Sequence, residues 1–362
     1  MHLTYDMRIG GTEMVIKNII QGSASESLIH SIYCIEEPLG PWGQELQQNG
    51  IQITSCNRQP GFDTNLISAI RKHIKQHKID VLHCHQYTPW IYGCIAAMFT
   101  STKVIFTEHG RFYPDFGTWK RKLVNPILCK FTDAITSISA ATKQALVVHE
   151  NISSGRIEVI YNGIENVLVE GTNLSELRSE LSIEDNDFVF GTIARLDPIK
   201  NHRLMLAAFA EVVKDINNCK LIIVGDGDER KNIETWIDEL QLNGKVILTG
   251  YDPKPAKYLA MFDIYLLSSL SEGTSMTLLE AMSLGKASVV TDAGGNPEII
   301  RNEYNGYVTP NDQVKPFALA MKALITDNNL KATFGKNAQT RFNQEFSLSQ
   351  MCRQFKELYL TK

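Results

Sequence analysis

Short apolar runs alternate with longer stretches of helical periodicity through both halves of this chain. In the first half, 28–34, 51–56, 81–85, 103–109, 134–139 and 158–161 read as buried strands, with helices at 12–20, 64–77, 89–99 and 119–131 between them. In the second half, strands fit 188–193, 220–224, 245–248, 264–268, 287–291 and 306–308, and helices fit 202–215, 229–240, 256–261 and 276–284. Continuous apolar strands in β–α alternation predict an α/β chain with two parallel sheets, each covered on both faces. The pattern turns polar and irregular just after Asn162-Gly163, which puts the domain boundary near residue 165. Ligands of such sheets bind outside the carboxyl ends of the strands.

Composition narrows the class. A chain of 362 residues exceeds what one hydrophobic core usually serves, so two domains are expected. Its net charge of −4 argues against a general nucleic-acid binder. The 7 cysteines are dispersed without a C-x-x-C pair, which fits a reducing cytoplasm better than a disulfide framework. No apolar run approaches the length of a membrane span, and no signal peptide is recognisable.

The densest chemistry lies in Ser271-Glu272-Gly273-Thr274-Ser275-Met276-Thr277-Leu278-Leu279-Glu280-Ala281-Met282. A strand leads into a tight loop, Ser275 reads as an N-cap, and a helix follows. Free N–H groups at such a helix start favour a phosphate, and the flanking carboxylates Glu272 and Glu280 suit sugar hydroxyls. Arg195 and Lys200 follow the strand 188–193. Alone they read as solvated loop charges; beside a phosphate-binding turn they read as its counter-charges.

The same segment, two glutamates followed by Ala-Met, resembles the retaining glycosyltransferases of the GT4 family. Four further blocks match in order: Gly10-Gly11-Thr12-Glu13, Asn162-Gly163-Ile164, Ala194-Arg195-Leu196-Asp197-Pro198-Ile199-Lys200-Asn201, and Gly294-Gly295-Asn296-Pro297-Glu298-Ile299-Ile300. The resemblance implies a GT-B fold: two Rossmann-like, doubly wound parallel-sheet domains facing across a cleft. Residues 1–165 would be the acceptor-side domain, 166–345 the nucleotide-sugar domain, and 346–362 a helix crossing back onto the first.

The resemblance also implies the roles. Arg195 and Lys200 would neutralise the donor diphosphate as the glycosidic bond breaks, with no metal or other cofactor. Glu280 would hold the ribose hydroxyls, and Glu272 and His109 the donor sugar. Thr274, Ser275, Met276 and Thr277 would offer mainly backbone N–H groups, while Gly10 and Gly11 would allow close approach. Tyr251 is a candidate for the nucleobase. Retention invites a carboxylate nucleophile, but the family is thought to use front-face substitution, so Glu272 is assigned to orientation and charge stabilisation. The implied partners are a nucleotide-diphosphate sugar and a glycan or lipid-linked acceptor of bacterial surface polysaccharide.

Several competing readings bear on particular residues. His83 and His85 with His109 and Cys84 could ligate zinc, although no full ligand set is visible. Asp226-Gly227-Asp228 mimics a metal-binding Asp-x-Asp but reads as a turn. The aromatic and cationic run 111–122 fits either a contact with the inner face of the membrane or a solvated helix start. Only a short apolar segment precedes Gly10, so the first strand is expected to be short or the true start to lie upstream. A dehydrogenase would need Gly-x-Gly-x-x-Gly after that strand, which is missing. A sugar-nucleotide epimerase and a non-catalytic binding module remain as alternatives.

Overall fold

The computed structural model describes residues 1–23, 28–110, 117–169 and 171–361. The chain forms two compact units, Met1–Gly163 joined by the segment from Leu348 onward, and Ile164–Ser347.

The first unit is built on a parallel sheet of seven strands: β1 (His2–Thr4), β2 (Ser31–Cys34), β3 (Gln52–Ser55), β4 (Val81–His85), β5 (Lys103–Glu108), β6 (Ala134–Ser137) and β7 (Ile157–Val159). Their order is β3-β2-β1-β4-β5-β6-β7, which reverses direction between β1 and β4. The short β1 is central, with His2 in register with Ile32 on one side and His83 on the other. Leu3, Leu82, Cys84 and Phe106 contribute to one core, where Trp90 stacks on Phe106 at 4.4 Å. Met7, Ile16, Ile20 and Ile32 belong to another.

The helix Leu348–Leu360 belongs to this unit and packs on the helix Gly11–Ser23. A Cβ at Gly22 would stand 2.7 Å from Cys352 Sγ and 2.8 Å from Leu348 Cγ, so glycine sets how closely the two helices approach.

The second unit has six parallel strands: β8 (Phe188–Ile193), β9 (Cys219–Val224), β10 (Val246–Gly250), β11 (Ile264–Leu267), β12 (Ala287–Thr291) and β13 (Gly306–Thr309). Their order, β10-β9-β8-β11-β12-β13, reverses between β8 and β11. Phe190, Phe209, Leu221, Ile223, Leu266, Val289, Phe317 and Met321 make its main core. Both sheets have the doubly wound order, so each has a crevice beyond its carboxyl ends at the reversal. Helices at Pro41–Gln48, Ala140–Glu150, Leu174–Glu180, Val314–Thr326 and Asn328–Arg341 lie outside those the periodicity picks out.

Candidate functional site

At the reversal of the second sheet, the loops after β8 and β11 are stitched together. Leu270 N–H donates to the Ile199 carbonyl at 2.7 Å, and Ser268 Oγ donates to the Lys200 carbonyl at 2.8 Å. Asp197 orders the first loop: one carboxylate oxygen accepts from Ile199 N–H at 3.0 Å, the other from Arg195 Nη2 at 2.6 Å. Lys200 Nζ donates to Glu272 Oε1 at 2.6 Å, and Ser269 Oγ donates to the same oxygen at 2.6 Å. Lys200 and Glu272 therefore meet directly, while the guanidinium of Arg195 is 72% exposed and rests on Asp197.

Two glycine turns support these loops. Gly225 follows β9 at φ +141°, and a Cβ there would fall 2.0 Å from the Ala194 carbonyl oxygen. Asp226 O accepts from Leu196 N–H at 3.0 Å, and its carboxylate accepts from Gly227 N–H at 2.8 Å, so Asp226-Gly227-Asp228 is a turn bracing the Arg195 loop. Gly294 has φ +54°, with its missing Cβ 1.9 Å from the Glu272 carbonyl oxygen. That oxygen accepts from Gly295 N–H at 3.0 Å.

Ser275 caps the helix Met276–Ser283, accepting from Leu278 N–H at 3.4 Å. Thr274 and Met276 flank that cap, and Thr277 Oγ1 lies 2.6 Å from the Tyr265 hydroxyl. Glu280 is the fifth residue of the helix, one turn beyond its start. Burial pushes its carboxyl up to about 7. The Tyr265 phenol is fully buried, which raises its pKa, and the charges of Glu272 and Glu280 raise it further. Nothing in the motif signals Tyr265 or Ser269; only their strand register brings them here. Tyr251 is 67% exposed and follows the edge strand β10.

In the first unit, Gly10 and Gly11 follow β1, and Gly11 opens a helix. A Cβ on Gly10 would meet Glu13 Oε2 at 2.4 Å, whereas Gly11 faces open space. Burial raises the Glu13 carboxyl.

His109 follows β5, its Nε2 2.8 Å from His85 Nδ1. Its Nδ1 is shielded from solvent and has no hydrogen-bond partner among the described residues, and burial lowers its pKa to about 3.

Ligand atoms of His2, His83 and His85 lie within 4.8 Å of one another, a different trio from the one the sequence suggests. These nitrogens are already engaged: His2 Nδ1 with His85 Nε2 at 2.9 Å, and His83 with Tyr359 Oη at 2.8 Å and Thr107 Oγ1 at 2.7 Å. A metal would have to displace those bonds. Residues 111–116 of the aromatic run lie outside the described residues.

Two families match in succession: Glycosyltransferase Family 4 over residues 9–166 and Glycosyl transferases group 1 over residues 174–341. The N-acetyl-alpha-D-glucosaminyl L-malate synthase of Bacillus anthracis is 26% identical over 311 residues, covering 84% of this chain and 81% of that protein. The UDP-Gal:alpha-D-GlcNAc-diphosphoundecaprenol alpha-1,3-galactosyltransferase of Escherichia coli is 25% identical over 308 residues, covering 82% and 79%.

Among solved structures, Anabaena HepE in complex with UDP superimposes with a TM-score of 0.87 at 23% identity, over 99% of this chain and 98% of that one. Sucrose-phosphate synthase from Thermosynechococcus elongatus gives 0.79 at 16% identity, over 99% and 97%. These likenesses show the GT-B fold. Together with the two matched regions, they make the chain a member of the GT4-type glycosyltransferases.

Proposed function

We propose that the protein transfers a sugar from a nucleotide-diphosphate donor to a hydroxyl of a glycan or lipid-linked acceptor, with retention and without a metal. The observation that carries this reading is the Lys200–Glu272–Ser269 cluster at the β8/β11 reversal, beside a capped helix start and the carboxyl of Glu280. Two cations, Lys200 and Arg195, are available to a diphosphate leaving group, so charge neutralisation needs no added ion. Glu280 accepts from the ribose hydroxyls, and Glu272 orients the donor sugar. His109 is assigned to a donor-sugar hydroxyl, as the family resemblance implies. Thr274, Ser275, Met276 and Thr277 act mainly through backbone N–H groups.

The Escherichia coli relative is a galactosyltransferase that acts on a diphosphoundecaprenol-linked sugar. We assign this chain an acceptor of that class, in bacterial surface polysaccharide synthesis at the cytoplasmic face. No described helix is long and apolar enough to cross a membrane.

The test is a thermal-shift panel of nucleoside diphosphates on the wild type and Glu280→Ala. A ligand bound only by the folded state raises the melting point by mass action. A shift with one base that disappears in the variant supports the donor site; no shift with any base rejects it.

A further inference from the structure

His109 ends a relay of four imidazoles whose direction is fixed at the far end. Ser23 Oγ donates to the Ile19 carbonyl, so its only hydrogen is committed and it must accept from His30 Nε2 at 3.0 Å. A neutral imidazole has one N–H, so His30 Nδ1 accepts from His2 Nε2 at 3.1 Å. His2 Nδ1 then accepts from His85 Nε2 at 2.9 Å, and His85 Nδ1 accepts from His109 Nε2 at 2.8 Å. Every ring is thereby an Nε2–H tautomer. His109 Nδ1 is left as a bare acceptor, shielded from solvent and without a partner among the described residues. Burial keeps the set neutral: it lowers His30 to about 4 and His109 to about 3, and holds His2 and His85 well below the usual histidine range.

We propose that His85, His2, His30 and Ser23 are positioning residues that lock His109 as an acceptor of a hydroxyl hydrogen, excluding an anionic oxygen from that place. The ligand chemistry that fits is a sugar hydroxyl, and this part rests on the reading of His109 as a donor-sugar contact. The relay itself does not depend on that reading. A locked tautomer spares the site the reorganisation a free imidazole would undergo when substrate binds.

The experiment is a long-range proton–nitrogen correlation spectrum of the full chain with nitrogen-15 histidine, recorded without donor. The expected result is an Nε2–H tautomer for His2, His30, His85 and His109. In His85→Asn the amide oxygen stands where Nδ1 was, so the His109 tautomer is retained. In His85→Leu that acceptor is gone and the single tautomer is lost, with kcat/KM falling about tenfold, the scale of one hydrogen bond. His85→Asn restores most of that loss.

Should His85→Leu fail to fold, Ser23→Ala carries the test at a helix position that accepts alanine. Removing the anchor should turn the His109 signal into a tautomer mixture. An Nδ1–H tautomer of His109 in the wild type would overturn the proposal, as would a single unchanged tautomer in Ser23→Ala. Zinc added alone that removes the His2 and His85 N–H signals would also overturn it, in favour of a metal site. A correct tautomer pattern with unchanged kinetics in His85→Leu would leave the relay standing and reject only the sugar contact.

Discussion

Lys200 Nζ lies 2.6 Å from Glu272 Oε1, and the carboxylate it contacts is only 9% exposed. Ser269 Oγ approaches the same oxygen, so the glutamate is held by one charged and one neutral donor. Removing one partner from such a pair leaves the other charge poorly solvated. Lys200→Met should therefore lower kcat by about 10²–10³ if the ammonium also serves the leaving diphosphate. The melting point should fall as well, through Glu272. Arg195→Ala should leave the melting point nearly unchanged, because its ion pair is exposed. Activity and melting curves on both variants check this; equal stability losses would contradict it.

Gly294 gives the final Gly-Gly turn a structural purpose. Alanine there would adopt φ +54° with its methyl 1.9 Å from the Glu272 carbonyl oxygen, so the turn must move and the Gly295 N–H bond to that oxygen must stretch. The expected cost is about 2–4 kcal/mol in stability, with a loss of activity in protein that still folds. Gly11→Ala, into open space at the first position of a helix, is the control and should be mild. Parallel denaturation curves decide between them.

How far the sequence carried the fold depends on how each element is buried. β4, β8 and β12 coincide with their apolar runs because they are covered on both faces and read as continuous stretches. The helix Asn328–Arg341 escapes periodicity because it is polar around much of its surface, burying only Phe334, Gly335, Ala338 and Arg341. Arg341 looks solvated in sequence, yet it donates to the Ile299 and Glu298 carbonyls and to Glu345. The Ser275 cap was legible because cap and helix are contiguous. The relay from Ser23 to His109 was not, since it joins residues from separate strands and helices through ring nitrogens, and no spacing rule encodes tautomers.

Glu280 sets a pH dependence whose sign follows from its environment. Its folded pKa of about 7 lies above the ordinary glutamate value of 4.5, with burial as the cause. The folded state therefore holds the proton more tightly, and this contribution to stability is present below pH 4.5 and lost as pH rises through 7. Glu280→Gln should stabilise the unliganded protein at pH 8, by on the order of 1–3 kcal/mol. Ribose hydroxyls donate to the ionised form, so nucleotide binding should strengthen from pH 6 to pH 8 more steeply in the wild type than in the variant, where only the ionisation of the diphosphate itself remains. Calorimetry across that range checks both; a pH-independent wild-type affinity would remove the carboxylate from the ribose site.

The first unit should respond to acid in the opposite sense. Burial depresses His2, His30, His83, His85 and His109 relative to 6.5, so the unfolded chain binds their protons first. Their stabilisation is present above pH 6.5 and is lost as pH falls towards 4 and 3, the folded values of His30 and His109. The melting point should therefore drop steeply between pH 6.5 and 4, with net proton uptake on unfolding measurable by calorimetry. A flat profile there would mean that the imidazoles are not held neutral by burial.

The helix Trp119–Lys130 carries the case for a membrane surface. Trp119, Leu123 and Ile127 are exposed by 69%, 63% and 55%, and their spacing of four residues places them on one face. Lys120, Lys122 and Lys130 lie exposed on the same short helix. An apolar face edged by lysines suits the headgroup region of an anionic bilayer, where buried apolar area and electrostatic attraction add. We therefore expect the protein to float with vesicles containing phosphatidylglycerol and to bind neutral phosphatidylcholine vesicles weakly. Trp119→Ser with Leu123→Ser and Ile127→Ser should abolish flotation while leaving the thermal shift with nucleoside diphosphate intact, since these side chains are exposed and lie on the other unit from Glu280. Salt should weaken binding of the wild type, because each lysine contributes through a screened field. Flotation that survives the triple substitution would place any membrane contact elsewhere on the protein.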